Sequence, residues 1–99
     1  MKKPTKYYEA TLQLRPKKEE LLDFVINQTE ERKDVSISEI FILKTGYDVY
    51  LTSQKYAQTI ARKLKVRFKG SLKVSRKLYG YSKKKGKLVY RLTICFRLD

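Results

Sequence analysis

The chain has 99 residues, which is enough for one domain with a modest hydrophobic core. Its 24 lysines and arginines against 10 acidic residues give a formal net charge of +14, which attracts polyanions and is unlike the balanced charge of a thermophile surface. With no histidine and a single cysteine, Cys95, the composition excludes His-based catalysis, a catalytic triad, a zinc site and an internal disulfide.

The first half of the sequence predicts a strand, a helix and two further strands. Residues 7–15 alternate between apolar and polar side chains, as a half-buried strand does. A helix follows Pro16, because acidic residues suit the dipole of its first turn and an apolar stripe comes next. Residues 37–43 predict a short strand, and a turn at Gly46 leads into another over 47–51. The expected buried face of the first strand comprises Tyr8, Ala10, Leu12 and Leu14.

The second half of the sequence predicts a helix and a long hairpin. Thr52 or Ser53 caps a helix whose apolar residues recur at helical spacing as far as Leu64. Two alternating strands, over 72–79 and 88–98, then flank a lysine-rich tip. The side chains of the last strand that we expect to point inward are Leu88, Tyr90, Leu92, Ile94, Phe96 and Leu98.

The predicted element order is β-α-β-β-α-β-β, with no linker or internal repeat. One-sided alternation in the strands indicates two helices on one face of an antiparallel sheet. The first six elements have the order of the ferredoxin-like fold. We therefore expect a single α+β domain over residues 1–99, ferredoxin-like with an added strand.

Basic side chains interleaved with tyrosines on the predicted hairpin suit RNA, whose phosphates attract cations and whose bases stack on aromatic rings. Cations on paired strands are held in place by the ladder and are the stronger candidates. The lysines of the tip have a solvated turn as their alternative explanation, but four lysines within residues 83–87 favour phosphate contact. For Tyr79, stacking on a base competes with simple cover of the sheet edge. The candidate RNA-binding residues are Lys73, Arg76, Lys77, Tyr79, Lys83, Lys84, Lys85, Arg91 and Arg97.

Other candidate residues have a structural explanation beside a functional one. Asp48 follows the Gly46 turn, and its turn propensity favours a bond to nearby backbone donors over a functional carboxylate. Tyr47 and Tyr90 are expected to help fill the core. A second basic cluster at the end of the second helix could also simply complement the helix dipole. That cluster comprises Arg62, Lys63, Lys65, Arg67 and Lys69.

The sequence indicates a non-catalytic, cytoplasmic protein. No apolar run approaches the roughly 20 residues of a membrane-spanning helix, and no apolar segment follows the basic start as in a signal peptide. The acidic residues are scattered, and no Gly-rich phosphate loop occurs. We therefore expect no enzyme activity, no metal, no cofactor and no membrane partner.

Five segments of the sequence carry a likeness to a known family. They are Leu12-Gln13-Leu14-Arg15, Gly46-Tyr47-Asp48-Val49-Tyr50-Leu51, Ala57, Ser75-Arg76-Lys77-Leu78 and Val89-Tyr90-Arg91-Leu92-Thr93. Together, in their order and spacing over most of residues 10–98, they resemble the large-ribosomal-subunit export adaptor (Nmd-three) family, and its archaeal members in particular.

This resemblance implies a role at the ribosome. Family members are larger, with a Cys-rich zinc module before this segment and barrel-like domains after it, so we expect an excised middle domain or a short relative. Because members bind the late large subunit, the resemblance implies a non-catalytic module of a ribosome biogenesis factor that binds ribosomal RNA or the large subunit. Ribosomal and assembly-factor proteins are further expected partners. The alternatives are a protein-interaction domain whose basic surface only steers it electrostatically, and a phosphodiesterase-type enzyme, against which the composition argues.

Overall fold

The described part of the chain folds into two helices and five strands. A computed structural model describes residues 7–84 and 86–99, with the backbone alone at 79, 81, 82, 87 and 88. The element sequence agrees with the predicted one, and the domain is α+β. The elements are β1 (Ala10–Arg15), α1 (Glu19–Glu30), β2 (Ile37–Ile42), β3 (Tyr47–Leu51), α2 (Gln54–Phe68), β4 (Gly70–Ser82) and β5 (Lys87–Leu98).

The strands form one mixed sheet in the order β2-β3-β1-β5-β4. β1 pairs antiparallel with β3 but parallel with β5, and β4 and β5 form an antiparallel hairpin. The prediction of a wholly antiparallel sheet is therefore wrong at one pairing. The added strand β5 is inserted between β1 and β4, which would be neighbours in a ferredoxin-like sheet.

The burial of β5 explains why it takes the inner position. Its inward side chains Leu92, Ile94 and Phe96 are at most 1% exposed, whereas Val74 and Leu78 of β4 are more than half exposed. A strand with a continuous apolar face buries more apolar surface between two neighbours than at an edge. The hairpin therefore places β5 inside the sheet and leaves the more polar β4 at the edge.

Both helices pack on the same face of the sheet, as predicted. Leu21 and Val25 of α1 belong to the same buried cluster as Ile60 and Leu64 of α2 and the inward residues of β1, β3 and β5. The helices contact each other through the rings of Phe24 and Phe68, whose centroids are 5.5 Å apart. Neither helix in the described residues has the length and apolarity needed to cross a bilayer.

The start of α2 is fixed by two oxygen acceptors. Ser53 is the N-cap, as one of the two predicted candidates, and its hydroxyl accepts a hydrogen bond from the Tyr56 amide at 3.2 Å. The Glu9 carboxylate accepts from the Gln54 amide at 3.1 Å. The backbone of Glu9 also bonds to Leu51 of β3 and Leu92 of β5. Glu9, which directly precedes β1, therefore ties the helix to β3 and β5.

The β4–β5 hairpin extends beyond the helix layer, and this corrects one core prediction. Tyr47 is 4% exposed, as expected of a core residue, but Tyr90 is 43% exposed. Leu92 pairs with Ala10 at the start of β1, so the part of β5 before Leu92 runs past the first strand and past the start of α2. The side-chain nitrogen Nε2 of Gln54 donates to the Tyr90 carbonyl at 2.6 Å, and the Tyr90 ring remains exposed.

We expect Gly46→Ala to destabilise the domain and Gly80→Ala to leave it nearly unchanged. A Cβ at Gly46 would lie 1.9 Å from the Leu14 carbonyl oxygen, whereas a Cβ at Gly80 meets nothing within 4 Å. Because the obstructing atom belongs to the backbone and cannot easily move away, Gly46→Ala should lower the free energy of unfolding by about 1–3 kcal/mol. Urea unfolding followed by circular dichroism measures both values, and equal stabilities for the two variants would contradict the close approach.

Candidate nucleic-acid interface

The face of the sheet opposite the helices, which we call the open face, is built from every strand. Directly opposed residues of paired strands share a face, so the register defines two rows that cross the whole sheet. Both rows carry polar, charged and aromatic side chains. One row contains Glu39, Tyr50, Thr11, Thr93 and Ser75, and the next contains Phe41, Asp48, Gln13, Cys95 and Lys73.

Four of the predicted RNA-binding cations lie together on the β4–β5 side of this open face. Lys77 is opposite Arg91, and Lys73 is opposite Cys95, within the same antiparallel ladder. Arg97 is opposite Ser71. Lys73, Lys77 and Arg97 are exposed, and Arg91 is half-buried. The ladder therefore holds these cations at fixed spacings, as the sequence suggested.

The structure places Arg76 apart from the other candidates. Arg76 is directly opposite Leu92, a core residue, so it projects on the helix side of the sheet. Neighbours along a strand point to opposite faces, and the open-face position of Lys77 therefore requires this placement of Arg76. Arg76 therefore does not share the open face with Lys73 and Lys77, and RNA binding by Arg76 stays a prediction.

The tip of the hairpin is described only in part. Lys83 and Lys84 are exposed in the turn after β4. Lys85 and the side chain of Tyr79 lie outside the described residues. The ladder shifts register between Leu78 and Gly80, next to this segment. Lys83 and Lys84 therefore add positive charge beyond the open face without sharing its ladder positions.

Three aromatic rings on the open face were not among the candidates. The rings of Tyr8 and Tyr50 meet edge to face at 4.8 Å, and Phe41 meets Tyr50 at 5.3 Å. The Arg91 guanidinium lies 3.9 Å above the Tyr8 ring. Tyr8 was expected on the buried face, but β1 begins only at Ala10, and the chain bends before it. The off-core positions of Phe41 and Tyr50 were readable from strand alternation.

The Tyr50 phenol is held in its neutral form. Burial, and next the negative charge of Asp48, raise the pKa of Tyr50 above its usual value. A phenol already keeps its proton at neutral pH, and the raised pKa of Tyr50 extends this neutral, hydrogen-bond-donating form to more alkaline pH.

Asp48 pairs with Arg15, not with the backbone donors of the turn as predicted. The Arg15 Nη2 donates to Asp48 Oδ1 at 2.8 Å, and both side chains are 15% exposed. The Arg15 Nη1 donates to the carbonyls of Leu14 and Tyr47 at 3.1 Å each. This pair joins β1 to β3 and neutralises a cation at the centre of the open face.

The open face is consequently divided by charge. The described acids Glu39 and Asp48 lie on its β2–β3 side, and its exposed cations lie on its β4–β5 side. At the border a depression of about 160 Å³ contains Tyr8, Lys77 and Arg91 among its lining residues. Small-molecule sites usually enclose roughly 300–1,000 Å³. The geometry therefore favours contact with an extended polyanion over enclosure of a small substrate.

The second basic cluster lies on the other side of the molecule. Arg62, Lys63, Lys65 and Arg67 are exposed along α2, and Lys69 follows at its C-cap. They do not join the open face, because α2 covers the opposite face of the sheet. Among the described residues, no three His, Cys, Asp or Glu side chains gather as a metal site would require.

A comparison with protein families matches nearly the whole chain. The family described as NMD3, second domain, matches residues 7–98, which includes every described element. No curated protein matches the chain at a significant level.

We expect Asp48→Ala to destabilise the fold more than Asp34→Ala. Removal of the Asp48 carboxylate leaves the Arg15 guanidinium without its ion-pair partner in a mostly buried position, at a cost of about 1–3 kcal/mol in unfolding free energy. Asp34 pairs with Arg32 at the surface, where such pairs contribute little. Thermal unfolding of both variants tests the difference, and a larger loss of stability in Asp34→Ala would refute the importance of the β1–β3 pair.

Proposed function

The chain belongs to the NMD3 family, as its second domain, and on this premise we propose a non-catalytic module that binds ribosomal RNA on the large subunit. Membership in the family links the chain to ribosome biogenesis. The observation that supports RNA contact is the set of exposed cations on the open face, on a chain of net charge +14. Ribosomal and assembly-factor proteins would be its neighbours there.

The spacing of the cations suits a phosphate backbone. Lys73 and Lys77 lie on the same side of β4, with the open-face position of Ser75 between them. Alternate residues of a strand are about 6.6 Å apart, so Lys73 and Lys77 are separated by about 13 Å, which is about twice the distance between successive phosphates of an extended strand. Arg97 continues the positive surface along β5. Contacts of this kind fix the position of an RNA without reading its sequence.

The ring of Tyr8 and the guanidinium of Arg91 add a second kind of contact. The guanidinium carbon of Arg91 already lies 3.9 Å from the centroid of the Tyr8 ring, within the range of a cation–π contact. Unpaired RNA bases stack on aromatic rings and on guanidinium planes. The depression beside these two residues therefore offers a place for one unstacked base next to the phosphate-binding lysines. The proposal thus favours single-stranded or looped RNA over a regular duplex.

We expect the double variant Lys73→Ala/Lys77→Ala to bind RNA more weakly than the wild type, and by a similar factor for unrelated single-stranded sequences. Each lost phosphate contact should lower the slope of log affinity against log salt by roughly 0.7 for single strands. Fluorescence anisotropy with labelled oligoribonucleotides at several salt concentrations measures both quantities. Both lysines are exposed, so the fold should not change.

Arg76→Ala/Lys65→Ala is the matched control. It removes the same charge from exposed positions, but Arg76 projects on the helix side and Lys65 lies on α2. It should reduce affinity only through the general loss of positive potential. An equal loss of affinity and of salt slope in both double variants would contradict the assignment of RNA binding to the open face.

We also propose that the domain does not cleave the RNA that it binds. The sequence has no histidine and one cysteine, so the usual general bases and zinc ligands are lacking. Labelled RNA should remain intact after incubation with the pure protein and Mg²⁺ or Zn²⁺. Cleavage that scales with protein concentration and stops on chelation would overturn this expectation.

A further inference from the structure

A groove between the two helices has an apolar floor and a basic rim. The volume of the groove is about 530 Å³, and no residue of the open face lines it. From α2 come residues at helical spacing on one side of the helix, and from α1 come two residues one turn apart. The lining residues are Phe24, Gln28, Arg62, Lys63, Val66 and Arg67.

The floor of the groove includes apolar surface that the fold leaves exposed. Val66 is 83% exposed in the last turn of α2, where a β-branched residue has lower helix propensity than the lysines and arginines around it. Phe24 is half-buried, with its ring edge to face against Phe68. Exposed apolar surface with a polar rim is typical of sites where another molecule docks.

The helix dipole explains only some of the cations on the rim of the groove. The dipole favours cations in the last turn of α2, which contains Lys65 and Arg67, but Arg62 and Lys63 precede that turn. Lys63 donates a hydrogen bond to Gln28 Oε1 at 3.2 Å. The two ion pairs within the described residues are Arg15–Asp48 and Arg32–Asp34, so the rim cations have no carboxylate partner there.

We propose that this groove binds an acidic peptide segment with apolar side chains, contributed by a protein partner. An amphipathic peptide could lay its apolar side chains on Val66 and Phe24 while its carboxylates meet Arg62, Lys63 and Arg67. A second copy of this chain is disfavoured because each copy carries a net charge of +14. RNA would use the cations but gain little from the floor, since Val66 has no ring on which a base stacks and the Phe24 ring is half-buried against Phe68.

Binding of a labelled model peptide tests the groove. The probe is a fluorescein-labelled helical peptide with Leu at positions three and four apart and Glu elsewhere. Poly-glutamate and a peptide with Gln in place of every Glu serve as reference ligands. Wild-type protein should bind the Leu–Glu peptide more tightly than either reference ligand. Binding no tighter than that of poly-glutamate would show that only net charge acts, and would overturn the proposal.

Charge-reversal variants locate the binding site. Arg62→Glu/Arg67→Glu should weaken peptide affinity roughly tenfold, because two contacts become repulsive. Lys55→Glu/Lys65→Glu carries the same change of net charge on exposed positions of α2 that do not line the groove, and should weaken it much less. Equal losses in the two pairs would overturn the proposal. Val66→Asp should also weaken binding without unfolding the domain, because the side chain is largely exposed.

RNA binding by the same variants separates this inference from the proposed function. Both charge-reversal pairs should reduce RNA affinity equally, since neither lies on the open face. A greater loss of RNA affinity in Arg62→Glu/Arg67→Glu would make the groove an RNA surface and overturn its assignment to a peptide. A failure of the Lys73 and Lys77 test leaves the peptide result untouched, because the two sites share no residue.

Discussion

The parallel pairing of β1 with β5 determines most of the architecture. It puts the most apolar strand of the hairpin between two neighbours, so that Leu92, Ile94 and Phe96 lie in the core. It also moves β4 to the edge and lets the hairpin run beyond the start of α2. On the reverse side, the same pairing aligns Arg97 with Arg15. The positive half of the open face therefore follows from the need to bury one face of β5.

The ion pair between Arg15 and Asp48 reduces the electrostatic repulsion between Arg15 and Arg97. Two arginines side by side on parallel strands would repel each other, and the low exposure of Arg15 would increase that repulsion. Asp48 compensates the charge of Arg15, and the carbonyl oxygens of Leu14 and Tyr47 accept hydrogen bonds from its Nη1. Arg97 remains exposed to solvent. The domain thus keeps its uncompensated cations at the surface, where they destabilise the fold least and remain available to a partner.

Local patterns in the sequence were sufficient to predict the helices and strands but not to predict which strands are adjacent in the sheet. Alternation and capping identified the strands and the Ser53 cap, because these depend on residues close in sequence. The place of β5 depends on which of two strands buries more apolar surface, and this is decided only in the assembled sheet. Arg15 and Asp48 are 33 residues apart, so no local signal joins them. Arg76 is different, because strand alternation already places its side chain on the other face of β4 from Lys77.

The two proposed sites lie on opposite sides of a thin molecule, and their mutual influence depends on salt. The smallest dimension of the domain is 22 Å, whereas the Debye length is about 8 Å at physiological ionic strength. A polyanion on the open face would therefore reduce the potential at the α1–α2 groove only slightly in the cell. At low ionic strength the screening length approaches or exceeds the thickness of the domain. Each of the two anionic partners would then bind the domain less tightly when the other is already bound. RNA and an acidic partner could thus occupy this domain at the same time under physiological conditions, because solvent ions, and not distance alone, make the two faces independent.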